Sequence, residues 1–206
     1  MKVYLCAREV SLFNAWRIYC GQYDFVTPTK QDIMSIEADA IVSPANSFGF
    51  MTGGIDLHYR NYMGKSVQDD LQKKIVHEFN GELLVGQATA VEIFYPPPLV
   101  KIKYMIAAPT MRVPEVISHT INVYLAAKAA LMEAVKLGMN SIIFPGMGTG
   151  TGQMKEVDCA KQVSVAIGDV LVSKDAYKLP TDLYDEQYRM AQHIVPSRWL
   201  EIQRGE

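Results

Sequence analysis

The sequence has 206 residues, of which 49% are hydrophobic, and a formal net charge of -2. This length suits one domain, or one domain with a short appendage, because domains typically hold roughly 100–200 residues. The charge balance excludes the strong basic excess of a nucleic-acid-binding protein, and no apolar run approaches the roughly 20 residues that span a bilayer. We therefore expect a globular protein with no membrane partner and no strong nucleic-acid signal, and its size and charge fit a monomer.

The cysteines and histidines indicate neither a disulfide nor a metal site. Cys6, Cys20 and Cys159 are scattered and odd in number, which is typical of reduced, buried thiols in a cytosolic protein. The four histidines lack the spacing of metal ligands. Residues 1–9 are interrupted by charge too early for a secretory signal. We expect a cytoplasmic protein that needs no metal and no bound cofactor.

Short β-rich runs alternate with helical stretches along the chain. The runs are almost continuously apolar, as expected of strands that are covered on both faces. The predicted strands span residues 2–7, 23–27, 38–43, 83–94, 101–108 and 141–145. Three consecutive prolines at 96–98 cannot donate to a central ladder, so the fourth and fifth strands should be connected at an edge of the sheet.

Amphipathic spacing predicts the helices between these strands. Apolar residues recur every four residues from 67 to 79, within a stretch (55–79) that forms either one long helix or two joined near Gly64. Further helices are predicted over residues 12–19, 121–135 and 157–170, the second of them ending at Gly138. Strands that alternate with helices of this length favour a three-layer α/β sandwich.

The carboxyl-terminal part of the chain departs from this rhythm. Residues 182–192 predict one more helix, and a tail carrying Trp199 follows Pro196. We therefore divide the chain into a domain over residues 1–172 and a helical extension over 173–206. The extension is interpreted as an appendage packed on the domain, with a partner-binding arm as the alternative.

The first segment that carries chemistry spans residues 43–56, between a predicted strand and a predicted helix. Gly53 and Gly54 allow the backbone to approach a ligand, and the amides at the start of the next helix favour an anion. Asn46 offers a donor and an acceptor to a sugar hydroxyl. Asp56, in the first helical turn, is suited to accept from a ribose or to orient a water. The same residues are equally compatible with a purely structural role, in which Gly53 and Gly54 only form the loop before a helix and Asp56 only interacts with the helix dipole.

The second segment spans residues 144–153, again between a buried strand and a helix. Four glycines at every second position, Gly146 to Gly152, leave few side chains, so several amides can face one diphosphate. Thr149 and Thr151 add hydroxyl donors. A mobile surface loop is the alternative, but the strand–loop–helix context is the one that anion capture requires, and we favour phosphate binding.

Two common nucleotide motifs are excluded. A P-loop needs Gly-Lys-Ser/Thr at the helix start, where this chain has Gly152-Gln153-Met154. A Rossmann fingerprint needs glycines after the first strand, where this chain has Arg8-Glu9-Val10-Ser11. P-loop hydrolysis of a nucleotide is therefore not expected.

Five separated elements occur here in the order and spacing of the macro domain family. They are Asp32-Ile33, Asp39-Ala40-Ile41-Val42-Ser43-Pro44-Ala45-Asn46, Gly53-Gly54-Ile55-Asp56, Ile142-Ile143-Phe144-Pro145 and Gly148-Thr149-Gly150. Any one of them alone would be a weak signal, whereas five in order are specific. The chain resembles this family over roughly residues 32–170.

The resemblance implies a three-layer α/β/α fold with a central mixed sheet and an ADP-ribose cleft at its crest. Asp32 would accept from the adenine amino group, with Ile33 against the ring, and Asn46 and Asp56 would border the distal ribose. Two backbone loops would wrap the diphosphate. The implied ligand-binding residues are Asp32, Ile33, Ala45, Asn46, Gly53, Gly54, Ile55, Gly148, Thr149, Gly150, Thr151 and Gly152.

The chain departs from the family pattern mainly at the distal-ribose end. Gln31 replaces a glycine before the adenine aspartate, and Ser43-Pro44 replaces the Asn-Ala that opens the family's Asn-Ala-Ala-Asn. Many members carry an aromatic residue past the diphosphate loop, where this chain has Thr151-Gly152-Gln153. Stacking on the distal ribose would then come from Phe48 or Phe50, and Phe50 or Met51 would narrow this end.

Three functions remain open from the sequence. The first is an ADP-ribosyl hydrolase or O-acetyl-ADP-ribose deacetylase, in which Asn46 and Asp56 serve the attacking water without a metal. The second is a reader or scavenger that binds ADP-ribose, an ADP-ribosylated protein or another NAD-derived nucleotide without turnover. The third is a protein-interaction scaffold, which the intact glycine loops disfavour.

Overall fold

The computed structural model describes residues 1–44, 46–94, 101–173, 179–180 and 182–196. Strands and helices alternate over most of this chain. The strands are β1 (Lys2–Cys6), β2 (Val26–Thr29), β3 (Ala38–Ser43), β4 (Thr89–Glu92), β5 (Ile102–Ala107) and β6 (Ser141–Phe144). The helices are α1 (Val10–Tyr19), α2 (Gly54–Met63), α3 (Ser66–Glu78), α4 (Asn122–Lys136), α5 (Glu156–Ile167) and α6 (Leu183–Arg189).

The described strands form one sheet in the order β2-β1-β6-β3-β5-β4. Every neighbouring pair is parallel except β4–β5, which is antiparallel, so the predicted mixed sheet is confirmed. The antiparallel strand, β4, lies at one edge and β2 at the other, while β1, β6, β3 and β5 occupy the interior. Because β1, β2, β3, β5 and β6 run in the same direction, their carboxyl ends meet along one edge of the sheet.

Helices cover both faces of this sheet. Ile142 and Phe144 pack into a core with α1, α4 and α5, whereas Ile143 between them packs with α2 and α3 on the other face. All three strand residues are fully buried, as expected for a strand whose two faces are both covered. This arrangement confirms the three-layer α/β/α fold.

Two predicted strands are shorter or shifted in the structure. The strand predicted at residues 23–27 begins only at Val26. Residues 23–26 form a turn instead, in which the Val26 amide donates to the Tyr23 carbonyl at 2.9 Å. The strand predicted at 83–94 is reduced to Thr89–Glu92. Leu83 is fully buried but is reached by a loop, and the chain turns at Gly86, where φ is 94°. The apolar residue at position 83 therefore indicates a buried side chain and not a β-strand.

The long helical stretch consists of two helices. Gly64 ends α2 with φ of 94°, and its amide donates to the Arg60 carbonyl at 2.9 Å. Such a φ favours glycine and cannot continue a helix. Residues 96–98, the predicted edge connection, lie outside the described residues.

The last described segment of the chain, residues 182–196, contacts α4 and α5 through Arg189 and Ile194. Wide π-helical turns follow α5 (Gly168–Val172) and α6 (Met190–Ile194). Ile194 is 1% exposed, and its carbonyl accepts from Gln162 Nε2 at 3.0 Å. Arg189 donates to Asp169 at 3.1 Å. This described part of the predicted extension therefore contacts the domain, while Trp199 lies outside the described residues.

The three cysteines are free and buried, as predicted. Burial raises the pKa of Cys6 to about 11 and the pKa values of Cys20 and Cys159 to about 12. Their thiols therefore stay protonated at neutral pH and are poor nucleophiles. Among the described residues, no helix is long and apolar enough to cross a membrane.

Candidate functional site

A cleft of about 750 Å³ lies along the carboxyl edge of the sheet. Its walls come from the segments that follow β1, β2, β3, β5 and β6. In open α/β sheets ligands bind outside the carboxyl ends of strands, where the backbone leaves the sheet in different directions. The volume is in the range of small-molecule and cofactor sites.

The cleft brings together the residues that the sequence singled out. Two segments far apart in the chain, 53–56 and 148–152, share this one cavity. Ala45 lies outside the described residues. The predicted site residues that line the cleft are Asp32, Ile33, Asn46, Gly53, Gly54, Ile55, Asp56, Gly148, Thr149, Gly150, Thr151 and Gly152.

The loop after β6 is held in shape by its own backbone and by Ile117. The Ile117 amide donates to the Gly152 carbonyl, and the Met154 amide to the Gly148 carbonyl, both at 2.9 Å. Gly148 has φ of 70°, and a Cβ placed there would meet Ile117 Cδ1 at 2.8 Å. Within the described chain, the amides of Thr149 and Thr151 donate to no protein acceptor. These contacts favour a preformed anion-binding loop over the mobile surface loop that was its alternative.

Helix α2 begins at the wall of the same cleft. Gly53 precedes it in an extended conformation, and Gly54 has φ of 56°, a left-handed conformation that favours glycine. No side chain caps this end of the helix. The first amides of a helix have no acceptor within the helix, so these amides remain available to an anion in the cleft.

Asp56 lies in the first turn of α2 and is 9% exposed at the cleft wall. Ser43 Oγ, at the end of β3, donates to Asp56 Oδ1 at 2.6 Å. Burial raises the pKa of Asp56 to about 6, against the opposing effect of the Ser43 hydrogen bond. At neutral pH the carboxyl is therefore mostly ionised, with a basicity suited to accepting a proton from a water.

Asn46 organises the loop in which it lies. Its Oδ1 accepts from the amides of Phe48 at 3.1 Å and Phe50 at 3.2 Å, and its Nδ2 donates to the Phe50 carbonyl at 2.8 Å. Because an amide side chain has two acceptor sites and two donor hydrogens, one donor remains for a ligand. The predicted donor to a sugar hydroxyl is retained, while the predicted acceptor is occupied by the loop.

Asp32 lies at the other end of the cleft, after β2. Its Oδ1 accepts from the Met34 amide at 3.0 Å and caps a single helical turn, Ile33–Ser35. This bond fixes the carboxylate and leaves Oδ2 available. Ile33 is 7% exposed and also lines the cleft, so it presents a small apolar surface beside a carboxylate oxygen.

The structure distinguishes the aromatic candidates for the distal end. Phe50 lines the cleft and is 53% exposed. Phe48 does not line it and lies under the Arg112 guanidinium, 5.0 Å from its ring centre, while Met51 is fully buried in the core below α2 and α3. Phe50 is therefore the aromatic side chain positioned to contact a bound sugar, and Met51 does not narrow this end.

Several cleft residues were missed from the sequence. Arg8 and Glu9 follow β1, Lys30 follows β2, and Thr110 and Met111 follow β5. The same rule that located the glycine loops, that ligands lie beyond strand carboxyl ends, would have found them had it been applied to every strand. His58, two residues past Asp56 on α2, was also missed.

Comparison with known proteins identifies relatives of this chain. The Macro domain family matches residues 42–163, which is more than half of the chain. An uncharacterized protein of Aquifex aeolicus is 35% identical over 129 residues, covering 62% of this chain and 72% of that protein.

Solved structures with the same fold are macrodomains. The macrodomain of Mycobacterium tuberculosis DarG has a TM-score of 0.57 at 21% identity, over 68% of this chain and 87% of that chain. A mutant macrodomain of Oceanobacillus iheyensis with ADPR has a TM-score of 0.58 at 20% identity, over 66% of this chain and 73% of that chain. At these identities the likeness concerns the fold.

Proposed function

The chain belongs to the macro domain family, and we propose that its cleft binds ADP-ribose or a close derivative. One observation carries this proposal. Two backbone segments from separate strand ends, 53–56 and 148–152, line one cavity, each with unoccupied amides, and the helices that follow them, α2 and α5, pack on opposite faces of the sheet. Amides that converge from two sides are suited to a diphosphate, whose charge is spread over several oxygens.

The two ends of the cleft suit the two ends of ADP-ribose. Asp32 offers an acceptor beside the apolar surface of Ile33, as an adenine amino group and ring require. At the other end, Asn46, Phe50 and Asp56 offer a donor, an aromatic face and a carboxylate to the distal ribose. The Oceanobacillus macrodomain with ADPR, which shares this fold, supports the same choice of ligand.

Binding is tested by isothermal titration calorimetry with ADP-ribose. Gly150→Val is a sharp variant, because a Cβ at Gly150 meets no atom within 4 Å and would project from the diphosphate loop without disturbing the core. We expect saturable binding by the native protein and a loss of at least about tenfold in the variant, or about 1.4 kcal/mol, at an unchanged melting temperature. No heat with ADP-ribose at millimolar concentration would refute the proposal.

Hydrolysis of an ADP-ribosyl or O-acyl-ADP-ribose linkage is a second candidate, which Asp56 favours. The carboxyl is buried beside the cleft, its orientation is fixed by Ser43, and its pKa is about 6. A base with a pKa near the working pH combines the ionised form with useful proton affinity. Asp56 would then activate a water toward the anomeric carbon or the ester, with Asn46 donating to the ribose.

Turnover is tested with mono-ADP-ribosylated protein and with O-acetyl-ADP-ribose, following the release of ADP-ribose or acetate. The rate should rise with pH through about 6 as Asp56 ionises, and Asp56→Asn should abolish turnover while retaining binding. Binding without turnover in the native protein would instead favour a reader or scavenger. If the protein neither binds nor hydrolyses these compounds, the remaining candidate function is that of a protein-interaction scaffold. A cytoplasmic location and a monomeric state remain predictions, which cell fractionation and sedimentation would test.

A further inference from the structure

Two exposed cations line the cleft without a role in the proposed binding of ADP-ribose. Arg8 follows β1, and Lys30 follows β2. Within the described chain neither side chain forms an ion pair or a hydrogen bond with the protein. Both charges are therefore available to a ligand, and they follow the ends of neighbouring strands that are in register from Val3↔Val26 to Cys6↔Thr29.

The order of the strands locates these cations along the ligand. From one end of the cleft, the carboxyl ends follow in the order β2, β1, β6, β3. Asp32 and Ile33, the proposed adenine contacts, follow β2, and the proposed diphosphate loops follow β6 and β3. The end of β1 lies between them, and neighbouring strands are about 4.8 Å apart. The group that joins adenine to the diphosphate, the adenosine ribose, therefore lies over the β1 end.

We propose that Arg8 and Lys30 form a subsite for a phosphate on the adenosine 2′-hydroxyl, so that the cleft prefers 2′-phospho-ADP-ribose, the NADP-derived form, to ADP-ribose. This rests on the proposed function. An arginine near the ribose is the general means by which a dinucleotide site accommodates a 2′-phosphate. A guanidinium and a flexible ammonium from adjacent strand ends provide a fork and a point charge for one dianion.

The other charges at this end set the size of the effect. Glu9, beside Arg8, also lines the cleft and opposes an anion, while the Asp32 carboxylate faces the adenine and is half engaged by the Met34 amide. Because both cations are exposed, each contact is worth a surface ion pair and is weakened by salt. We expect about a tenfold preference for the 2′-phosphate at low ionic strength, and a smaller one as salt rises.

The test compares calorimetric affinities for ADP-ribose and 2′-phospho-ADP-ribose. In the double variant Arg8→Gln/Lys30→Gln, affinity for the 2′-phosphate compound should fall about tenfold more than affinity for ADP-ribose. Glu9→Gln should raise the preference. A control for the general loss of positive charge is Lys136→Gln, which removes one cation at the carboxyl end of α4, at the opposite edge of the sheet from the cleft, and is compared with each single variant, Arg8→Gln and Lys30→Gln.

Each outcome decides the question. A preference for the 2′-phosphate that disappears in the double variant and persists in Lys136→Gln establishes the subsite. Equal affinities in the native protein, or a preference that survives the double variant, overturn it while leaving ADP-ribose binding in place. If the native protein binds neither compound, the proposed function itself fails, which is a different result from equal binding of both.

Discussion

Replacing Asp56 with asparagine should stabilise the protein at neutral pH. The carboxyl is 9% exposed, and burial raises its pKa from 3.8 to about 6. Since native Asp56 binds its proton more tightly than unfolded Asp56 does, the contribution of this group to stability is greatest at low pH and is lost as pH rises between these two pKa values. Asparagine keeps the shape and the acceptor for Ser43 Oγ but carries no charge.

The magnitude follows from the size of the pKa difference. A difference of about two units corresponds to about 3 kcal/mol once both states are ionised, because one unit is about 1.4 kcal/mol. At about pH 4.5 the unfolded state is already ionised while native Asp56 is mostly protonated, so about 1 kcal/mol of this cost is present there. Between about pH 4.5 and 7.5, Asp56→Asn should therefore gain about 2 kcal/mol relative to the native protein.

Urea denaturation of the native protein and the variant at these two pH values measures this gain. Asp39→Asn is a control of opposite sign, because hydrogen bonds from the Asn140 amide, the Lys103 ammonium and the Ser141 hydroxyl lower the pKa of Asp39. That variant should be less stable than the native protein at neutral pH, and the difference should shrink as pH falls. If the gain of Asp56→Asn is independent of pH, the buried charge does not strain the fold and the reasoning is wrong.

Three further variants test separate parts of the molecule. Gly148→Ala should displace the diphosphate loop, because the added Cβ would meet Ile117 at 2.8 Å and φ at this position is 70°. The affinity for ADP-ribose, measured by calorimetry, should fall at least about tenfold. An unchanged affinity would show that this loop is not part of the binding site. Phe50→Ala should weaken ADP-ribose about fivefold and leave ADP, which lacks the distal ribose, unaffected; equal losses would contradict stacking at that end. Ile194→Ala should lower the free energy of unfolding by about 2 kcal/mol in urea denaturation, whereas a change near zero would mean that the segment around Ile194 does not pack on α5.

Strands and helices were predictable from the sequence where the pattern of apolar residues reflects which faces of the element are buried. The run at residues 38–43 became β3 with the same bounds, because an interior strand is buried on both faces and reads as continuously apolar. The run at 83–94 failed because Leu83 is buried from a loop, which apolarity alone does not separate from a strand.

The candidate site was predictable where it depends on backbone conformation. Glycine is visible in a sequence, and Gly54 and Gly148 do adopt the left-handed conformation that a close loop requires. The hydrogen-bond partners of side chains were not visible in the sequence. Asn46 Oδ1 accepts from the Phe48 and Phe50 amides. Arg8 lines the cleft only because the strand order places β1 beside β6. The Asn46 bonds are local but depend on the conformation of the loop, and the position of Arg8 depends on pairing between distant strands; the local sequence pattern encodes neither.

A crystal structure of the protein with ADP-ribose tests the central claim most directly. The account predicts that the diphosphate lies between the start of α2 and the loop at residues 148–152, with amides of both segments donating to its oxygens and adenine beside Asp32. Density for the ligand elsewhere on the surface, or a diphosphate contacted by only one of the two segments, would contradict it.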